Sequence, residues 1–285
     1  MVHQQGCDMQ IQNILAQTPH EASVASPRIR SLGQLTMGSP WRLEVQHARA
    51  SHLFLWLTKG QGRATILGKR RGVGAHNALF VPAGALMSMD LGKQCYGIAI
   101  DLPAHESGIW PEEPQHLRIR DVMAQNEVNA LLDNMQREQS THRAFGDEAA
   151  RAHAGLLAVW MRRMLAQEDN KPNPRIPAAD RLIGAFCALV EKDYRSGKPM
   201  ADYAAALGVT PTHLSRACRQ VAGLTAADMI TQRVLYAARD MLESGDLPIR
   251  LIAEMLGFSS AAYFTRFVQN QTGKTPSALR QQARP

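Results

Sequence analysis

The chain has 285 residues, 45% of them hydrophobic and 20% charged, which is enough for two domains of ordinary size with a core in each. Its 32 lysines and arginines exceed its 25 aspartates and glutamates, and the net charge of +7 favours a polyanionic partner or an acidic small molecule, although solvation alone also explains it. No apolar run approaches the roughly 18 to 20 residues that span a bilayer, and the N-terminus lacks a secretory signal pattern, so we expect a cytoplasmic protein outside the membrane.

The cysteines Cys7, Cys95, Cys187 and Cys218 lie far apart and include no C-x-x-C pair. Such spacing is typical neither of a disulfide framework nor of a zinc site. We therefore expect reduced thiols, most of them buried.

The first part of the chain is a lead-in, residues 1–27, that has little periodicity apart from a short helical pattern over Ile11–Ala16. From there to about Pro103, short β-branched and aromatic runs alternate with turns rich in glycine, proline and asparagine. This spacing predicts a small β-barrel or sandwich. The predicted strands are Trp41–Val45, His52–Thr58, Gly62–Leu67, Asn77–Val81 and Tyr96–Asp101.

A pocket inside such a barrel is the usual place for a small ligand. We predict an effector site that draws on Arg42, Phe54, Trp56, Arg63, Phe80 and Met87. The basic run Lys69–Arg71 is a further candidate for holding an acid group, and the positive charge of the chain favours an organic acid as effector. The apolar residues can equally be core, and the basic run can be the solvated tip of a hairpin.

A metal site is not expected in this segment. First-row metals are held by histidines together with a carboxylate on adjoining strands, whereas His47, His52 and His76 are scattered. We therefore expect no metal and no cofactor.

Two amphipathic helices follow the predicted strands. Val128, Leu131, Leu132 and Met135 form the apolar stripe of the first, and the second runs from about Asp147 to Gln167. Such helices suit either the formation of a homodimer or a lid over the barrel within one chain. Residues 169–177, with the sequence DNKPNPRIP, are rich in proline and predict a linker.

The last part of the chain predicts two helix-turn-helix units. In each unit a short amphipathic helix ends at a glycine, Gly208 or Gly257, where a left-handed residue is needed. Thr210 is the predicted cap of the next helix in the first unit, and Ser259 or Ser260 is the predicted cap in the second.

Two longer helices complete this part. One is predicted over about Ala179–Tyr194, and the other, over Thr225–Leu242, connects the two units. A rigid connector would hold the second helix of each unit at a fixed separation, as successive major grooves about 34 Å apart require.

The second unit contains the following positions in one register: Ile252-Ala253, Gly257-Phe258, Tyr263-Phe264, Arg266-Phe267, Gly273, Thr275-Pro276 and Arg280. Together they resemble the signature of the AraC/XylS family of bacterial transcription regulators. The resemblance extends over roughly the last 105 residues, with two departures. Cys218 stands where the family prefers an aromatic residue, and Met229 where it prefers tyrosine or phenylalanine.

The resemblance implies that residues 178–285 bind double-stranded promoter DNA and that residues 28–168 form a cupin-like domain for ligand sensing and dimerisation. The fold class would be α+β, with an all-α C-terminal domain. Most of the family activate transcription through RNA polymerase, so we expect an activator rather than a repressor. Two alternatives stay open: a metal-dependent cupin enzyme with a helical tail, and a DNA-binding regulator whose barrel only dimerises.

The second helix of each unit is the one expected to enter the DNA and is called a reading helix below. The first reading helix carries Arg216 at a family position that commonly reaches bases or phosphates, and the two-pronged guanidinium group of this arginine suits guanine. In the second we expect Tyr263, Phe264 and Phe267 to face inward and Arg266 outward. Tyr263 is also a candidate for the DNA-facing surface of this second helix, which corresponds to the DNA-facing surface of the first. The predicted DNA-binding residues are Thr210, Thr212, His213, Ser215, Arg216, Arg219, Ser259, Ser260, Ala262, Tyr263, Arg266 and Lys274.

Overall fold

The computed structural model describes residues 24–36, 38–105, 108–141, 143–168 and 177–283. The chain divides into two compact units, one with residues 24–44 and 48–181, the other with Val45–His47 and the residues from 182 onward. The helix predicted over Ile11–Ala16, Cys7, and all of the predicted linker except Pro177 lie outside the described residues. The domain boundaries at 27, 168 and 177 therefore remain predictions.

Eight antiparallel strands build the described part of the N-terminal unit. One sheet has the order β1-β7-β2-β5-β8 and the other has the order β4-β3-β6. The two sheets pack against each other and do not close into a barrel. The strands are β1 (Arg28–Ser31), β2 (His52–Lys59), β3 (Gln61–Ile66), β4 (Lys69–Gly74), β5 (Asn77–Val81), β6 (Met87–Leu91), β7 (Tyr96–Leu102) and β8 (Gln115–Arg118).

The central strand β2 has both faces buried, because successive side chains of a strand point to opposite faces of the sheet. Leu53, Leu55 and Leu57 face the space between the two sheets, where they pack with Met87 and Met89. This inner core contains only side chains that are nearly or wholly removed from solvent. The interior of the sandwich is therefore packed with the chain's own side chains.

The opposite face of β2 packs against two long helices, α3 (Val122–Thr141) and α4 (Gly146–Glu168). Trp56 donates from Nε1 to Oδ1 of Asn129 on α3 at 2.9 Å, and its ring meets that of Trp160 on α4 edge to face. The two predicted amphipathic helices are confirmed, and they cover the five-stranded sheet of their own chain.

Four of the five predicted strands are confirmed to within one residue at every end, but the strand predicted over Trp41–Val45 is wrong. Trp41–Glu44 is instead a one-turn helix, α2, and a similar turn, α1, spans Leu32–Leu35. The backbone N–H groups of Leu43 and Glu44 both donate to the carbonyl of Pro40. Proline is favourable at a helix start, where its missing N–H costs nothing.

The interpretation of Lys69–Arg71 as a hairpin tip is also wrong, because these residues lie in β4. The tip is the two-residue turn Leu67-Gly68, in which both residues have positive φ, 46° and 73°. A turn with two left-handed residues matches the twist of a hairpin and aligns Ile66 with Lys69. The basic run therefore belongs to an edge strand.

The C-terminal unit is helical. The residues Met200–Ala206 and Pro211–Ala222 form the first helix-turn-helix, and Ile249–Met255 and Ala261–Thr272 form the second, as predicted. The helices are α5 (Ala178–Asp193), α6 (Met200–Ala206), α7 (Pro211–Ala222), α8 (Ala226–Ser244), α9 (Ile249–Met255), α10 (Ala261–Thr272) and α11 (Pro276–Ala283), and a 3-10 turn spans Tyr194–Ser196. Helix α11 follows the second helix-turn-helix.

The connecting helix α8 holds the unit together, since most of its length is buried. It begins with a capping box in which Thr225 and Asp228 each accept from the other's backbone N–H, at 3.0 and 2.9 Å. The hydrogen bonds from Thr225 lower the pKa of the Asp228 carboxyl. Further along, buried Arg233 binds both carboxylate oxygens of Glu191 on α5 at 2.6 and 2.9 Å.

Candidate nucleic-acid interface

Helix α7 begins at a cap predicted from the sequence. Thr210 accepts from the backbone N–H of His213 at 3.2 Å, and Pro211 occupies the first helical position. The helix buries Leu214, Ala217 and Cys218 on one face. The opposite face leaves Thr212, His213, Arg216 and Arg219 exposed and Ser215 half-buried.

Helix α10 has the same construction. Ser260, one of the two predicted caps, accepts from the backbone N–H of Tyr263 at 3.2 Å, and Phe264 and Val268 are buried. The exposed surface consists of Ser259, Ser260, Ala262, Tyr263 and Arg266.

The prediction that Tyr263 faces inward is wrong, because its side chain is 55% exposed. Phe258, which follows the turn glycine, takes the inner position and contacts the rings of Tyr263, Phe264 and Phe267 at centroid distances of 5.1 to 5.7 Å. Tyr263 thus covers the edge of an aromatic cluster and presents its hydroxyl to solvent.

Arg216 and Arg266 are exposed, and neither forms an ion pair with another described residue. Lys274, by contrast, donates to Oε1 of Gln282 at 2.9 Å, although it too is exposed. An arginine without a carboxylate partner keeps its planar fork available for a base edge or a phosphate. The two helices therefore each present at least one such arginine, Arg216 on α7 and Arg266 on α10, and the capped start of each helix has backbone N–H groups that attract anions.

The two departures from the family pattern are accommodated in the core. Cys218 and Met229 are both fully buried. Burial raises the pKa of the Cys218 thiol to about 11 and raises that of Cys187 further still, so both thiols are protonated at neutral pH. Cys218 and Met229 therefore act as apolar side chains in the packing of the unit.

The residues predicted to bind an effector do not share one described cavity. Phe54, Trp56 and Phe80 lie in the core under α3 and α4, whereas Met87 lies between the two sheets, and all four are fully buried. Arg42 is buried with its guanidinium 4.9 Å from the centre of the Trp41 ring. Only Arg63 is exposed beside a cleft, where it pairs with Asp90 at 3.6 Å.

The three histidines of the N-terminal segment occupy separate places. His52 accepts from the backbone N–H of Ala83 at 3.0 Å, and burial lowers the pKa of its imidazole. His47 lies within hydrogen-bonding distance of the Val45 carbonyl at 2.9 Å, and His76 sits in a left-handed turn. Among the described residues, no three histidines, cysteines or carboxylates are grouped so that they could hold a metal ion.

No helix in the described part of the chain is both long and apolar enough to cross a membrane.

Comparison with known proteins places the helix-turn-helix part of the chain in a family. A family model described as "Helix-turn-helix domain" matches residues 203–282. The chain is 32% identical over 103 residues to the "HTH-type transcriptional regulator ExsA" of Pseudomonas aeruginosa, which covers 36% of this chain and 37% of that protein. It is 26% identical over 167 residues to the "HTH-type transcriptional activator RhaR" of Escherichia coli, with 58% and 57% coverage. The matched segment thus spans less than two thirds of either relative.

Among solved structures, ToxT from Vibrio cholerae covers 92% of this chain and 99% of its own, at 11% sequence identity and a TM-score of 0.42. The matched residues 203–282 begin in α6, contain both turn glycines and both reading helices, and end in α11. The C-terminal part of this chain is therefore a helix-turn-helix domain of the AraC type.

Proposed function

We propose that the protein is a cytoplasmic, sequence-specific transcription regulator that binds promoter DNA through α7 and α10. Its role is that of an activator that contacts RNA polymerase, under the control of a small-molecule effector bound by the N-terminal unit. An effector would act by shifting the population of DNA-competent molecules, since a ligand moves an equilibrium only through its different affinities for two states.

The observation that carries this proposal is the matched construction of the two reading helices. Each begins at a hydroxyl cap, follows a left-handed glycine turn and exposes an arginine that has no ion pair among the described residues. Both helices pack on the same connecting helix α8, so they act as one rigid reader. Two recognition helices held in this way suit adjacent major-groove segments.

The experiment that tests the proposal is binding of the purified full chain to labelled DNA from the intergenic region beside its own gene. Random DNA of equal length is the control, and both are measured at two salt concentrations. Selective binding supports the regulator. Equal affinity for both DNAs, with and without candidate effectors, would refute sequence-specific recognition, since the phosphate contribution alone is independent of sequence.

We expect Arg216→Ala and Arg266→Ala each to weaken specific binding by about 1 to 3 kcal/mol if these arginines read bases. Arg216→Lys retains the charge but loses the two-pronged fork, so it should keep the salt dependence of binding and lose selectivity. Competition between specific and random DNA measures both effects.

The control for these variants is Lys192→Ala, which removes an exposed positive charge from α5, outside both helix-turn-helix units. It should leave the preference for specific over random DNA unchanged. If Arg216→Ala and Arg266→Ala behave like this control, the two arginines are solvated and read nothing.

The proposal includes a homodimer formed through α3 and α4. Although these helices cover the sheet of their own chain, α4 also leaves Leu156 53% and Val159 41% exposed on the side away from it. Adjacent exposed apolar side chains on a helix are a common feature of interfaces between subunits.

Leu156→Glu is expected to convert a dimer into a monomer, because the carboxylate would be buried without a partner at the interface. Light scattering after size exclusion measures the mass directly. Arg151→Glu, on the same helix and also exposed, is the control. A wild-type chain that is monomeric at high concentration would contradict the dimer.

One observation favours the alternative in which the barrel interior binds no ligand. The core between the two sheets is filled by the chain's own side chains, with Leu53, Leu55, Leu79 and Met87 fully buried. An effector would then bind elsewhere on the N-terminal unit, or the unit would serve dimerisation alone. Thermal stabilisation by added ligands separates these cases, since only a binding unit gains stability.

A further inference from the structure

The sandwich of the N-terminal unit has two seams where its sheets meet, and they differ in chemistry. At one seam, the edge strands β1 and β6 lie beside the one-turn helices α1 and α2, whose apolar side chains include Leu32, Leu35 and Leu43. At the other, the edge strands are β4 and β8. This second seam, called the β4–β8 seam below, contains an open cleft.

The cleft has a volume of about 740 Å³, which lies within the range of roughly 300 to 1,000 Å³ typical of small-molecule sites. A second cleft of about 680 Å³ shares Gly72 and Arg118 with it and extends from the seam along β4 and onto β3, where Gln61, Gly62 and Arg63 line it. The concave surface thus continues from the seam onto the three-stranded sheet.

Positive charge is concentrated in the first cleft. Arg71 comes from β4, Arg118 from β8 and Arg120 from the residues after β8, and His116 also lines the wall. None of the three arginines forms an ion pair with a carboxylate of the described chain. The single carboxylate in the lining, Asp121, is already engaged, because it accepts from the backbone N–H groups of Met123 and Ala124 at 3.3 and 2.9 Å.

The cleft also has an apolar side. Leu117, Ile119 and Met164 line it and are buried, so a ligand with a hydrocarbon or aromatic part would find contacts beside the arginines. Gly72 contributes bare backbone, and a side chain placed there would meet nothing within 4 Å. A glycine in a strand often marks a place where a ligand approaches the backbone.

Charges on edge strands are also a general means of preventing strands from pairing with other chains. That explanation accounts for single charges facing water. It does not account for Arg71, Arg118 and Arg120 around one cleft, since the repulsion among three like charges is offset when an anion binds between them.

We propose that the β4–β8 seam binds an organic anion, a compound with a carboxylate or phosphate group and an apolar body, and that this is the effector site. The inference rests on the proposed function of the chain as an effector-controlled regulator. Met164 and Gln167 of the cleft belong to the last turns of α4, and the chain passes from α4 through residues 169–176 to the helix-turn-helix part. A ligand held there would contact the helix end that leads to the DNA-binding helices.

The test uses the full chain and two fluorescent probes of similar shape, 8-anilinonaphthalene-1-sulfonate, which is anionic, and N-phenyl-1-naphthylamine, which is neutral. The wild type should bind the anionic probe saturably, and inorganic phosphate or benzoate should displace it. The double variant R118A/R120A should bind the anionic probe about tenfold more weakly or worse, because charge-assisted hydrogen bonds are lost. Its affinity for the neutral probe should not change.

Two further variants complete the test. Gly72→Val places a side chain in the cleft without removing charge, so it should lower the affinity for both probes. Arg151→Ala, at an exposed position of α4 outside the cleft, removes one positive charge, as a single cleft substitution does. It should leave the affinity for both probes unchanged. Equal affinity of wild type, R118A/R120A and Gly72→Val for the anionic probe would overturn the proposal, as would the absence of saturable binding in the wild type.

DNA binding by the same proteins separates this inference from the proposed function. R118A/R120A should bind specific DNA like the wild type in the absence of an anion. If it instead binds DNA more weakly and with a smaller salt dependence, the arginines contact the DNA backbone and the anion site is refuted. If the wild type fails to select its DNA while the cleft binds the anionic probe as described, the proposed function fails and the anion site stands.

Discussion

Replacing Gly257 by alanine is expected to destabilise the C-terminal unit by about 3 kcal/mol or more and to abolish selective DNA binding. The residue has φ of +75° at the turn of the second helix-turn-helix, and a left-handed alanine costs about 1 to 2 kcal/mol. A Cβ atom at this position would also lie 2.5 Å from the carbonyl oxygen of Arg195 and 2.6 Å from the backbone nitrogen of Gly197. Overpacking of this kind typically adds about 1 to 3 kcal/mol.

The second contribution arises because two loops meet backbone to backbone. Gly197 is itself left-handed, and a Cβ placed on it would lie 2.5 Å from the carbonyl oxygen of Gly257. The loop before the first helix-turn-helix is thus packed directly against the turn of the second. A methyl group at Gly257 cannot be accommodated by turning a side chain, since the atoms that it meets belong to the main chain.

Gly208→Ala is the matched control for Gly257→Ala. Gly208 occupies the same position in the first helix-turn-helix with φ of +67°, but a Cβ there would meet nothing within 4 Å. This variant should lose only the conformational contribution, about 1 to 2 kcal/mol. Urea unfolding followed by helical circular dichroism, together with DNA binding, measures both variants. Equal losses of stability would show that the contact between the two loops contributes nothing.

Arg233→Ala is expected to destabilise the same unit by about 3 kcal/mol, at the lower end of the range for breaking a buried ion pair. Arg233 is 3% exposed, binds Glu191 through two hydrogen bonds and lies with its guanidinium 3.7 Å from the centre of the Tyr194 ring. Its removal leaves the Glu191 carboxylate without these bonds and opens a space in the packing of α8 against α5. Because Glu191 is partly exposed, water recovers some of the loss.

Replacing both partners separates two contributions to the free energy of unfolding: the cost of leaving the Glu191 carboxylate without its partner, and the net stabilisation by the ion pair. The double variant Arg233→Met with Glu191→Met should regain most of the stability lost in Arg233→Ala, because it leaves no charge without a partner. Arg250→Ala breaks the exposed pair with Glu254 and should leave the unfolding midpoint unchanged. If the unfolding curve of Arg233→Ala coincides with that of the wild type, the ion pair has no structural role.

The N-terminal unit shows where sequence patterns lose their predictive value. Strands β2 and β5 are confirmed because they are continuous apolar runs between clear turn residues. The basic strand β4 and the short strands β1 and β8 carry charged residues that are equally typical of turns. These segments are strands because they form hydrogen bonds with neighbouring strands, and for β1 and β8 the neighbours β7 and β5 are distant in the chain.

The two helix-turn-helix units, by contrast, could be predicted from local signals in the sequence, apart from the orientation of Tyr263. The turn glycines Gly208 and Gly257, the caps Thr210 and Ser260 and the buried periodic positions all act within one or two helical turns of themselves. Local steric and hydrogen-bonding preferences of this kind are properties of the sequence itself. The exposed arginines of α7 and α10 follow from the same periodicity.

Tertiary structure alone decided which distant residues share a surface. Arg71 and Arg118 line one cleft although they belong to different sheets, and the aromatic residues predicted to line a pocket are buried under α3 and α4 instead. The meeting of Gly197 and Gly257 is likewise invisible in either loop's own sequence. Contacts of this kind depend on how completed sheets and helices pack, and packing is determined by the summed burial of many side chains rather than by any local pattern.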